Sequence, residues 1–235
     1  MLDRDAVEKL IRESAERSKR ARREYHLFNK TLISVKGNIL PTIDFSQIVK
    51  EIEEHMPPHL FEEVDYIFVG SFSENDERAL EAHYEDGAIY ITSDLPTNID
   101  YVENIVHETA HAIEAQHGLA IYGDRSIEQE FLGKRRRLEA RMTAESIDVS
   151  TLDFEDPEYS RELDFFFYKN IGYEKLNNLT IGLFNSAYAS TSMGEYFANG
   201  FEEYFLGDRA YLRKVSPQLF MKIETIISGD ENEYL

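Results

Sequence analysis

The chain predicts an α+β fold in which a small mixed or antiparallel sheet precedes a mostly helical C-terminal part. Three observations carry this expectation. Short runs rich in β-branched and aromatic residues, such as 64–70 (VDYIFVG) and 88–92 (AIYIT), fall before residue 95. Asp86-Gly87 separates 79–84 from 88–92 and supplies the positive φ that a tight hairpin turn needs. From residue 98 onward the apolar spacing is helical, and strands followed by helices argue for α+β rather than alternating βαβ units.

Taken in order, residues 3–30 space Val7, Leu10, Ile11 and Ala15 at helical intervals among dense charges, which predicts an amphipathic helical extension over 1–30. Residues 31–42 read as a short strand or a hairpin around Lys36-Gly37-Asn38. Residues 44–55 read as a helix capped by Asp44 and stopped by Pro57-Pro58. Then come the strand at 64–70 and the hairpin about Asp86-Gly87. Helices follow over 98–117 (closed by Gly118), 126–146, 158–170, 193–206 and 217–228. The domain reading is one domain over 31–235: sheet part 31–95, central helix 98–117 and helical part 125–235.

Composition narrows the chemistry. The 235 residues include no Cys, so a bound metal must be held by His, Asp and Glu. A formal net charge of −20 opposes a phosphate backbone, which argues against nucleic acid as a partner. Two basic runs, KRARR at 19–23 and KRRR at 134–137, have Glu at helical spacing and read as solvated, salt-bridged helix faces. The charged N-terminus lacks a secretory pattern and no run reaches the ~18 apolar residues of a membrane span. The expectation is a soluble, cytoplasmic protein without a membrane partner.

Within 102–116 (VENIVHETAHAIEAQ) stands His107-Glu108-Thr109-Ala110-His111, an HExxH pattern on an apolar segment without Gly or Pro. Four residues is just over one helical turn, so both imidazoles leave one face and can share a cation, while Glu108 can reach a water held there. Placing these polar groups on an apolar helix is costly unless they have partners. Three residues compete to be the third ligand. His117 stands where a third His would in HExxHxxGxxH, but Glu114 replaces the Gly that would break the helix and turn that His back. Glu130 follows His111 after eighteen intervening residues, a thermolysin-like spacing, within an acid-rich helix. Glu195 opens an apolar helix with Phe197, Ala198, Phe201 and Phe205, where a carboxylate would otherwise meet the core without a counter-charge.

The HExxH helix, followed by Tyr188 and Glu195 in 188–205 (YASTSMGEYFANGFEEYF), resembles the catalytic domain of the anthrax lethal factor-like metallopeptidases, which include the Pro-Pro endopeptidases. The resemblance covers about 64–205. It implies a zincin-like fold of the gluzincin class, one Zn2+ per chain held by His107, His111 and Glu195, Glu108 as the base, and Tyr188 as a hydrogen-bond donor to the transition state. The chain departs from the pattern at Asn199, where the family often has Glu, and has extra helices between His111 and Glu195. The hairpin and the ending of the motif region are similar to phage-encoded members of the group, which extends the localisation expectation to a phage-associated protein. The implied function is zinc-dependent hydrolysis of peptide bonds, with a protein or peptide substrate laid along the hairpin strand before Asp86. The alternatives are a catalytically silent binding or structural module, virion- or toxin-like, on the same fold, and a zinc amidohydrolase acting on a small molecule.

Overall fold

Alternating apolar residues build a five-stranded mixed sheet in the computed structural model, which describes residues 23–71 and 81–228. The strands are β1 (Arg23–Leu27), β2 (Thr31–Val35), β3 (Tyr66–Gly70), β4 (Ala82–Glu85) and β5 (Ala88–Thr92), in the order β1-β2-β3-β5-β4. The outer pairs β1/β2 and β4/β5 are antiparallel; β2/β3 and β3/β5 are parallel. Register aligns Ile33, Ile67 and Ile89 on one face and, two residues on, Val35, Val69 and Ile91; all six are buried. Fully burying one such side chain contributes about 1.5–3 kcal/mol. On the opposite face Phe68, Tyr90 and His83 are cross-strand neighbours, with ring centroids 5.4 and 4.9 Å apart.

Most of the expected N-terminal helix falls on residues 1–22, outside the described residues. Its predicted last turns, 23–30, are instead β1 and a tight turn. Phe28 and Asn29 take positive φ (54° and 55°), and Phe28 rests on Phe61 at 5.4 Å between ring centroids. Tyr25 and Leu27 alternate towards the core, and pairing with β2 prevails over the local helical spacing. Of the two readings of 31–42 the short strand holds and the hairpin about Lys36-Gly37-Asn38 does not: β2 ends at Val35, and its partners are β1 and the more distant β3.

Helix α1 (Phe45–His55) follows β2. Asp44 caps it by accepting hydrogen bonds from Ser46 N (2.9 Å) and Gln47 N (3.4 Å), and Phe45, Ile48 and Ile52 form its buried stripe. Helix α2 (Asn98–Tyr122) begins with a reciprocal cap: Thr97 Oγ1 donates to Asp100 Oδ2 (2.7 Å), and Asp100 N donates to Thr97 Oγ1 (3.3 Å). Its first turn is tied to the start of α1 by the Phe45–Tyr101 ring contact and by Asp44 N donating to Asn98 Oδ1 (2.9 Å).

The chain divides into two compact units, Met1–Thr109 and Ala110–Leu235, and the division falls inside α2. The second unit continues with α3 (Ser126–Ala144), α4 (Arg161–Phe165), a π-helical turn (Phe166–Ile171), α5 (Tyr173–Thr180), α6 (Met193–Leu206), α7 (Arg209–Val215) and α8 (Pro217–Ser228). Its core gathers Phe131 of α3, Phe184 and Tyr196 of α6, with centroids 5.5–6.1 Å apart. The sequence reading of KRRR as a solvated face holds for Arg136 and Arg137 but not for Lys134 and Arg135, which are buried. Lys134 Nζ donates to Tyr196 Oη and Ser216 Oγ, both at 2.5 Å. Burial drives its pKa down to about 7. No helix among the described residues is long and apolar enough to cross a membrane.

Candidate metal centre

Three of the residues singled out in the sequence come together. His107 and His111, four positions apart on α2, project about 40° from each other around the helix. Glu195 is the third residue of α6. One ligand atom from each of His107, His111 and Glu195 lies within 4.8 Å of the others, and His111 Nε2 is 3.8 Å from Glu195 Oε1. A tetrahedral ion with bonds of about 2.0–2.2 Å holds neighbouring ligand atoms roughly 3.3–3.6 Å apart. The group is near that spacing, and two imidazoles with one carboxylate leave a fourth position open. These residues fit a metal ion.

The local sequence explains the placement of Glu195. Ser192 caps α6 by accepting from Glu195 N (3.1 Å), the backbone half of a Ser-x-x-Glu start. Glu195 therefore stands in the first turn, where the helix dipole favours a carboxylate. Its side chain is 16 % exposed.

His111 is oriented from behind. Its Nδ1 lies 3.1 Å from Glu114 Oε2, and a carboxylate only accepts, so Nδ1 carries the proton and Nε2 presents its lone pair on the side of Glu195. The other oxygen, Glu114 Oε1, accepts from Tyr122 Oη at 2.6 Å. Burial and the neighbouring Glu114 charge hold the Tyr122 pKa far above the usual phenol range. Between these residues His117 departs from helical geometry (φ −113°, ψ 18°). A Cβ at Gly194 would sit 3.1 and 3.2 Å from the two Glu114 oxygens, so a side chain there would press on the carboxylate.

The other sequence candidates are placed as follows. Glu108 is buried on α2 between the two His. Tyr188 is half-buried and opens a short 3-10 turn, Tyr188–Ser190, just before α6. That turn is clamped by the buried Arg135, which donates to the carbonyls of Ser190 (3.0 Å), Thr191 (2.5 Å) and Asp156 (2.8 Å). Glu130, the rival carboxylate, is committed elsewhere: it accepts from Tyr196 Oη (2.7 Å), Gln218 N (3.0 Å) and Leu219 N (3.2 Å), capping α8. His117 is exposed at the kink. Asn199 Oδ1 accepts from Ser186 Oγ (2.6 Å), and its Nδ2 donates to Glu195 O (2.9 Å), so this amide ties α6 to the segment before it. The carboxylate behind His111 thus comes from Glu114, which the sequence reading used only to exclude a broken helix. The available signal was its i,i+3 spacing from His111.

No family model, curated protein or solved structure matches this chain, so the site is read from its own residues.

Proposed function

We propose that this chain is a zinc-dependent endopeptidase on a zincin-like fold, akin to the lethal factor-like metallopeptidases. The observation that carries the reading is the convergence of His107, His111 and Glu195, with Glu114 Oε2 3.1 Å from Nδ1 of His111. Zinc bound there would supply Lewis acidity, bringing the pKa of water near neutrality and polarising a carbonyl. Glu108 accepts the proton of the attacking water and passes it to the departing amine. Tyr188 donates its hydroxyl proton in a hydrogen bond to the developing oxyanion. Among the described residues β4 is an edge strand of the sheet, along which an extended peptide can lie.

The test is metal content and turnover measured together. Wild type should bind about one zinc per chain, and His107→Ala and Glu195→Ala should lose it. Glu108→Gln should keep the metal and lose about 10²–10⁴-fold in cleavage of a peptide panel. Absence of zinc after reconstitution would overturn the reading. Bound zinc with small amides cleaved and every peptide intact would replace it with the amidohydrolase.

A further inference from the structure

The geometry points to Glu114 as the positioning carboxylate for His111. In our inference Tyr122 fixes it, and the missing side chain at Gly194 makes room for it; this rests on the metal-site reading above. Glu114 uses its two oxygens for two different tasks. Oε2 accepts a hydrogen bond from Nδ1 of His111 at 3.1 Å, which turns Nε2 towards Glu195, and Oε1 accepts one from the Tyr122 hydroxyl at 2.6 Å, which limits rotation of the carboxylate. A carboxylate behind a ligand imidazole raises its basicity and locks its tautomer, so the pair binds a divalent cation more tightly than an unsupported His. All three supporting residues lie in the second unit with His111 and Glu195. Gly194 immediately precedes the ligand Glu195, so the chain that delivers one carboxylate to the metal also borders the other.

Gly194 separates positioning from helix stability. Alanine inside a helix is ordinarily more favourable than glycine. Here the added methyl would meet the Glu114 oxygens at 3.1 and 3.2 Å, so the carboxylate must shift by a few tenths of an ångström and its contact with Nδ1 is disturbed. Gly194→Ala is therefore expected to weaken metal binding while leaving the thermal stability of the metal-free protein unchanged or higher.

The experiment titrates zinc into the metal-stripped full chain by calorimetry and records the visible absorption of the cobalt(II)-loaded protein, for wild type, Glu114→Gln, Tyr122→Phe, Gly194→Ala and Glu195→Ala. We expect zinc affinity to fall about 10–100-fold in Glu114→Gln and in the same direction in Gly194→Ala, with a shifted cobalt spectrum in both. A smaller fall is expected in Tyr122→Phe, which keeps the ring and removes only the hydroxyl. A merely structural Glu114 would change the unfolding temperature and leave the cobalt spectrum of the folded protein as in wild type. Wild-type affinity and spectrum in the Glu114, Tyr122 and Gly194 variants, with zinc lost in Glu195→Ala, would overturn this inference and leave the metal site standing. Zinc bound equally by wild type and Glu195→Ala, or by neither, would overturn both. If Glu114→Gln fails to fold, Tyr122→Phe and Gly194→Ala decide on the same readouts.

Discussion

Glu130 and Glu195 carry identical carboxylates, and their neighbours give them different work. Glu130 holds two backbone N–H groups at the start of α8 and the Tyr196 hydroxyl. Replacing it by Ala is expected to lower stability by about 1–3 kcal/mol while zinc content stays at the wild-type level, as denaturant unfolding and metal analysis would show. The nearby Lys134 predicts a pH signature. Its pKa falls from the ordinary 10.5 to about 7 on folding, so between those values the unfolded chain binds a proton that the folded chain does not. Stability therefore rises with pH across that window, by at most about 1.4 kcal/mol per unit, and is lost as pH falls towards 7. Lys134→Met should remove this slope in denaturant unfolding followed from pH 7 to 10. Of the candidate metal group, His107 and His111 were legible because four-residue spacing fixes a helix face, and Glu195 through its motif. Glu114 was not, because its role depends on which way two rotamers turn and on Gly194, far along the chain.

Among the elements, α6 shows most plainly how packing constrains a sequence. A Cβ at Gly200 would overlap the side chain of Leu219 on α8. Gly200→Ala is therefore expected to destabilise by about 1–3 kcal/mol, against helix propensity, as thermal unfolding would show. The turn before α6 depends on Arg135, whose guanidinium holds three carbonyls in a buried setting. Arg135→Met leaves those carbonyls without their donor and should cost roughly 3 kcal/mol or more. The α1 helix and the Asp86-Gly87 hairpin were legible from the Asp44 cap and turn chemistry, and α6 and α8 from helical apolar spacing. Asp86 and Gly87 indeed take positive φ, 45° and 83°. Strand β1 was not legible, because five residues with one alternating apolar pair follow a long stretch of helical spacing. Lys134 and Arg135 were misread because a basic run advertises charge and says nothing of the phenol and carbonyls that meet it across the core.

Across the chain, acidic groups outnumber basic ones by the 45 to 25 that gives −20. Like charges at that density repel in the compact state, and salt screens them within about 10 Å at 0.1 M. Raising NaCl from about 0.02 to 0.2 M should increase the unfolding temperature, which calorimetry would register. The sheet adds a constraint of another kind. β5 sits between β3 and β4, although β4 is made before it, so β4 has no strand to pair with until the chain has turned at Asp86-Gly87. The β4–β5 hairpin, like β1–β2, is closed by a local turn, whereas the parallel β2/β3 contact requires closure of the loop that carries α1. Substitutions in the Asp86-Gly87 turn are expected to slow refolding more than they speed unfolding, which stopped-flow kinetics would show.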